Sequence, residues 1–215
     1  MNIVLLGAPG SGKGTQAERI AADFNLYHLQ TGAIARSLAE EDERIRKLVD
    51  SGQLIPAEEM TMHVIDFLSH RENGLSDILF EGFPRFVSQY EALANFLEDK
   101  GDDIDIVFTL DISQEEAVKR ISSRRICSKC GEVYNLVTNP PSVEDVCKCG
   151  GKLIQRKDDN PDSIKVRFQA YRDNTKELVD YLDQKGKLTR IDGERSIDEI
   201  YQDIKQRIED EQKTA

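Results

Sequence analysis

The chain begins with a short apolar run, NIVLL at 2–6, that stops at a glycine turn, GAPGSGKGT at 7–15. Behind the turn, QAERIAADF carries apolar residues at helical spacing, so the segment reads as strand, turn and helix. Four glycines within that turn let backbone N–H groups converge on one anion. The helix start adds a favourable dipole, and Lys13 supplies a flexible point charge. The pattern predicts a phosphate loop. An ordinary glycine-rich β–α turn is the alternative, and it gives no role to a lysine and a threonine at these positions. In the common loop Ser or Thr directly follows Gly-Lys, whereas here Gly14 holds that place and Thr15 comes next.

Further β-rich runs follow as LYHL near 26, DILF near 78, DIVFTL near 105 and KLTRI near 187, separated by longer helical patterns. That alternation predicts an α/β fold: a five-stranded parallel sheet flanked by helices. Ser113 with Glu116 and Ser196 with Glu199 fit the capping box, and Asn160-Pro161 opens another helix. In the last helix Ile197, Ile200, Ile204 and Ile208 form a stripe for docking on the sheet, and the polar tail EDEQKTA reads as a frayed end. Residues 30–59, charged and helical in pattern, and 121–158, holding the cysteines, NPP and GG, do not fit the alternation. They read as insertions into a core made of 1–29, 60–120 and 159–215, and insertions beside a site are candidates for moving lids.

With 40 acidic against 29 basic residues the net charge is −11, which argues against a non-specific grip on nucleic acid or on an anionic membrane. Any anion must be met by a local cluster of cations. No apolar run approaches the roughly 18 residues that cross a bilayer, and the expected location is cytoplasmic. The four cysteines cluster as CSKC at 127–130 and CKC at 147–149, which favours a metal site over disulfides.

The displaced threonine acquires a meaning from a family. GAPGSGKGT resembles the GxPGxGKGT loop of nucleoside monophosphate kinases. TGAIAR (31–36), EGFPRFVSQ (81–89), RISSRRIC (120–127), QRKDD (155–159) with Arg167 beyond it, and IDG (191–193) extend the likeness in order along nearly the whole chain. The chain resembles adenylate kinases of the long-lid, zinc-bearing bacterial type. The resemblance implies a P-loop NTPase-like core, an AMP-binding insertion at 30–59 and a lid at 121–158. It implies a monomer that takes Mg2+ with ATP and converts ATP and AMP reversibly into two ADP. A GTP:AMP or UMP/CMP kinase and a catalytically weak adenine-nucleotide sensor are the alternatives.

Carried over by position, the resemblance gives Gly10, Ser11, Gly12, Lys13, Gly14 and Thr15 to the donor phosphates. Arg120, Val133, Tyr134 and Arg195 would surround the donor base, and Arg124, Arg156 and Arg167 the transferring group. Arg36 and Arg85 would hold the AMP phosphate. Thr31, Gln53, Leu54, Ile55, Gly82, Phe83, Pro84 and Gln89 would complete the AMP site, which Arg156 and Arg167 also touch. Lys13, Arg85, Arg124, Arg156 and Arg167 would carry catalysis. Such chemistry needs no protein nucleophile; it needs anions neutralised, aligned and shielded from water, and an arginine fork binds phosphate oxygens in pairs. Cys127, Cys130, Cys147 and Cys149 would hold a structural Zn2+, with Asp145 as substitute ligand should the short CKC knuckle fail to close.

Several of these residues also admit plainer readings. Arg120, four after Glu116, fits an ordinary helix pair, and Arg124 reads as a second cation on that helix face. Arg167 falls in the stripe Ile164, Phe168, Tyr171, Leu178, Leu182, where a guanidinium needs an anion or must snorkel out. Asp158 and Asp159 either order the arginines or form a charged turn. Gln89 offers the donor and acceptor an adenine edge needs, although a lone glutamine is most often solvated surface. His28 reads as a packed strand-end residue. The family's aspartates are replaced by Ala33 in TGA and by Glu81 before GFPR, so Glu81 alone would reach the Mg2+ hydration shell. Ser123 and Phe86 are further departures.

Overall fold

In the computed structural model, which describes residues 1–214, strand β1 (Asn2–Gly7) is the centre of the molecule. All six of its residues are buried, as a parallel strand covered on both faces requires. Glycine turn and helix α1 (Lys13–Asp23) follow as expected. Next come β2 (Tyr27–Gln30), three helices α2 (Thr31–Glu41), α3 (Glu43–Ser51) and α4 (Ala57–Ser69), and β3 (Ile78–Glu81). Helix α5 (Val87–Glu98), β4 (Ile106–Asp111) and α6 (Gln114–Ser122) lead into a small sheet of β5 (Arg124–Cys127), β6 (Val133–Asn135) and β7 (Leu153–Ile154). A 3-10 turn at Lys157–Asp159, helix α7 (Pro161–Ala170), a π-helical turn at Tyr171–Thr175 and α8 (Lys176–Gln184) precede β8 (Thr189–Asp192) and α9 (Ile197–Thr214).

The five strands pair in the order β2-β3-β1-β4-β8, every pairing parallel. Alternate residues of β1 feed the two faces: Val4 and Leu6 join a cluster with Leu29, Phe80, Leu93 and Leu178, while Ile3 and Leu5 pack with Ile20, Phe108 and Ile204. Because the strands run one way, the loops after β1, β3, β4 and β8 open along one edge of the sheet. There ligands of open α/β sheets bind.

Three readings need correction, and one small sheet is new. Helix α6 ends at Ser122, so Arg124 opens β5 instead of extending that helix face. Residues 121–158 contain a three-stranded antiparallel sheet, order β6-β5-β7, that their sequence does not announce. The tail, read as a frayed end, is helical: α9 continues to Thr214, and Ala215 lies outside the described residues. Within α9 Ile200, Ile204 and Ile208 are buried, but Ile197 is only half-buried. Among the described residues no helix is long and apolar enough to cross a membrane.

Candidate active site

Helix α6 forces the loop after β1 into its shape. Gly10 has φ +82°, and a Cβ there would lie 2.6 Å from the Ala117 carbonyl oxygen, so only glycine fits. Gly12 caps α1 in the left-handed region without a side-chain hydrogen bond, leaving the first-turn N–H groups of Lys13, Gly14 and Thr15 to an outside acceptor. Lys13 Nζ donates to the carbonyls of Gly7 at 2.7 Å and Ala8 at 2.9 Å and to Ser11 Oγ at 3.4 Å. Burial pulls the ammonium pKa down to about 7; Glu81 opposes that, and Arg85, Arg167 and Arg124 reinforce it. Cations from four separate segments therefore converge on the loop.

Beside it lies a cavity lined by Thr31, Arg36, Gln53, Leu54, Ile55, Gly82, Arg85, Gln89, Arg156 and Arg167. Arg85 Nε donates to the Gly82 carbonyl at 2.8 Å, burial lowers its pKa, and it has no carboxylate partner among the described residues. Arg36 likewise makes no ion pair among the described residues, and burial followed by the charge of Arg156 lowers its pKa. Gln89 is buried, not solvated: its Oε1 accepts from the Arg85 N–H at 2.8 Å, and its Nε2 donates to the Ala57 carbonyl at 3.1 Å. Thr31 is buried at the start of α2, its hydroxyl 3.3 Å from the Glu81 carbonyl. Phe83 and Pro84 do not line the cavity; the Phe83 ring is part of the core.

Arg124, Arg156 and Arg167 meet over two aspartates. Asp159, whose side chain is 0% exposed, accepts from Arg124 Nε at 2.8 Å, from Arg124 Nη2 and from Arg167 at 3.0 Å. Asp158 accepts from Arg156 at 2.6 and 2.9 Å and from Arg167 at 3.2 Å. Burial pushes the Asp158 carboxyl up, but the arginines outweigh it and hold it below its usual range. Burial and the neighbouring Arg124 bring Arg167 down to about 10. The aspartates thus order the arginines. Their backbone does form a tight 3-10 turn, but the charges face one another across it.

The residues expected around the donor base are less gathered. Arg120 makes the helix pair with Glu116 at 2.8 Å, as its plainer reading expects, and also donates to the Gly193 carbonyl at 2.8 Å. Arg195 pairs with Asp203 at 2.6 Å. Val133 is exposed on β6. Tyr134 is not available for stacking: it is buried among Cys127, Cys147 and Leu153, its hydroxyl donating to Cys147 Sγ.

Glu81 ends β3 facing the glycine loop, with Oε2 3.3 Å from His28 Nε2. His28 therefore contacts a site carboxylate, which strand-end packing alone does not capture. Burial pushes Glu81 up, yet its hydrogen bond with His28 and the charge of Lys13 leave it below the usual range. Ala33 is exposed on α2 and offers no second carboxylate.

The four cysteine sulfurs lie within 4.8 Å of one another. Cys127–Cys149, Cys130–Cys147 and Cys130–Cys149 are 3.5, 3.6 and 3.4 Å apart, close to the edge of about 3.8 Å in a tetrahedron with Zn–S of about 2.3 Å. The Cys130 N–H, first among several donors, pulls the Cys127 thiol down to about 6. The thiol set fits a closed structural site, and the short knuckle closes without Asp145, which is not part of the group.

Reasoning from sequence missed Gly52 and the hydroxyl of Ser163, which join α3 to α7 beside the cavity. The glycine directly after the charged pattern of α3 was the available signal.

A family model described as "Adenylate kinase" matches residues 5–187. An adenylate kinase of Thermoanaerobacter sp. is 40% identical over 215 residues, covering 98% of this chain and 99% of that relative. One of Bacillus licheniformis is 41% identical over 211 residues, covering 96% and 97%. One of Staphylococcus aureus is 39% identical over 209 residues, covering 95% and 97%.

Proposed function

The chain belongs to the adenylate kinase family and is a nucleoside monophosphate kinase, and we propose that it catalyses the reversible, Mg2+-dependent conversion of ATP and AMP into two ADP. One observation carries this reading. In a chain of net charge −11, Lys13, Arg36 and Arg85 lie at one edge of the sheet without carboxylate ion pairs among the described residues, beside three arginines that share two aspartates. Cations crowded together without anions, Lys13 and Arg85 half-buried among them, are costly, and the phosphates of ATP and AMP set end to end would relieve that cost.

The donor phosphates would take the free N–H groups at the start of α1 and the ammonium of Lys13, which would leave the carbonyls of Gly7 and Ala8. The AMP phosphate would bind Arg36 and Arg85, with the base between Gln89 and the strip Gln53–Ile55. Arg124, Arg156 and Arg167, aligned by Asp158 and Asp159, would follow charge onto the transferring group with little rearrangement. No covalent intermediate is needed. Mg2+ bound with ATP would share the phosphate charge, and Glu81, a carboxylate held charged by His28 and Lys13, would hold its water. Zn2+ on the four cysteines would stiffen 121–158 as a lid, which with 30–59 would close over the core and exclude water. The protein would act as a cytoplasmic monomer.

The test is ADP formation at millimolar Mg2+ with ATP and AMP, run beside GTP as donor and UMP or CMP as acceptor. Nucleotide binding without turnover would identify a sensor and overturn the proposal. For the metal, Ala33→Asp combined with Glu81→Asp is expected to lower the Mg2+ concentration for half-maximal activity roughly threefold, since a second carboxylate would join the hydration shell. An unchanged Mg2+ titration removes that role from Glu81.

A further inference from the structure

Helix α3 ends on Gly52, whose N–H bonds the Val49 carbonyl at 3.1 Å, while the Gln53 N–H takes the Leu48 carbonyl at 2.9 Å. The Asp50 carbonyl is left over, and the Ser163 hydroxyl donates to it at 3.0 Å. Ser163 is 4% exposed and is itself held: Asn160 caps α7, accepting from the Ser163 N–H at 3.0 Å and donating from Nδ2 to Ser163 Oγ at 2.9 Å. The backbones approach just as closely. A Cβ on Gly52, at φ +79°, would lie 2.6 Å from the Ser163 carbonyl oxygen and 3.0 Å from Arg167 Cγ. One turn along α7 stands Arg167, and one residue beyond Gly52 begins the strip Gln53–Ile55; both line the acceptor cavity.

We infer that Ser163 is a positioning residue for the nucleoside monophosphate: its hydroxyl fastens the end of α3 to the arginine-bearing helix α7 and sets the distance between two walls of the acceptor cavity. The inference rests on the acceptor-site reading above. Ser163 itself does not line the cavity. It acts by joining the Asp50 carbonyl, in the last turn of α3, to a helix start already fixed by Asn160, so that Gly52 packs on the stem of Arg167. Loss of the hydroxyl takes this donor from the Asp50 carbonyl and leaves the two walls free to part. The bond joins α7 to α3 and includes no residue of the glycine loop.

The experiment compares the full-length wild type with Ser163→Ala, Ser163→Cys and Ser163→Thr. Cysteine keeps the volume with a weak donor, and threonine keeps the hydroxyl. Calorimetric AMP affinity and the KM for AMP are expected to weaken about fivefold in the alanine and cysteine variants. The KM for ATP should stay unchanged, and threonine should restore the wild-type values. Equal rises in both KM values, an unmoved KM for AMP, or failure of threonine to restore it would overturn the inference. Wild type that binds no AMP would overturn the acceptor-site reading together with it, which separates the two failures.

Discussion

Lys13→Met is expected to reduce kcat about 10³-fold while leaving the folded protein no less stable, and more stable below neutral pH. The two halves of this expectation share one cause. The ammonium sits where Arg85, Arg124 and Arg167 already crowd the loop, and without phosphates its partners are neutral oxygens. Burial and those cations bring its pKa from 10.5 to about 7. Between these values the unfolded chain binds a proton that the folded chain has released, so stability rises with pH across that window. Below pH 7 both states are protonated, and the folded protein bears the full cost of the desolvated charge. Because the side chain is only half-buried, that cost is on the order of 2 kcal/mol. Methionine keeps the packing and removes the charge. Thermal midpoints of wild type and variant should therefore differ most near pH 6 and converge by pH 10. Bound ATP should reverse the order, since the phosphates hold the lysine charged. A variant less stable than wild type at pH 6 would show that the ammonium is satisfied by its carbonyls and is not held in wait for an anion.

How much of this was legible without coordinates depended on whether the signal was local. Strands and sheet followed from apolar runs punctuated by helices, because burial on both faces writes itself along one strand, as in Ile3–Leu6. The small sheet β5–β7 did not, since Arg124–Ile126 must find Val133–Asn135 and Cys127 must find Leu153 across turns, in strands of two to four residues. Nor did the π-helical turn. Tyr171 and Leu178 are seven apart, as two regular turns would place them, yet Ile164 and Phe168 pack on Ala8 and Ala117 while Leu178 and Leu182 join the other cluster. In the site, the arginines were visible through their motifs. Their pairing with Asp158 and Asp159, the reach of His28 to Glu81, and the burial of Tyr134 depended on distances that spacing does not encode.

Cys147→Ser is expected to cost residues 121–158 their order while the rest of the chain stays folded. The apolar support of residues 121–158 is slight: the buried cluster there consists of Cys127, Tyr134, Cys147 and Leu153, and two of those four are thiols of the metal set. Val137 and Val143 are more than half exposed, so side-chain burial cannot hold this small sheet alone. A closed four-thiolate site contributes on the order of 10 kcal/mol in small domains that depend on it, and replacing one ligand withdraws most of that. The same change replaces the sulfur that accepts from the Tyr134 hydroxyl with an oxygen of shorter reach and loosens the strand that carries Arg124. Wild type should contain one zinc per chain, and the variant little or none. Limited proteolysis should cut the variant first within 121–158, the melt should separate into two steps, and kcat should fall at least tenfold, because Arg124 no longer meets Asp159 in one geometry. A chelator should reproduce these effects in wild type and add nothing to the variant. Wild type isolated without zinc, with residues 121–158 as protease-resistant as the rest, would mean that backbone pairing alone sustains the segment and that the thiols hold no metal.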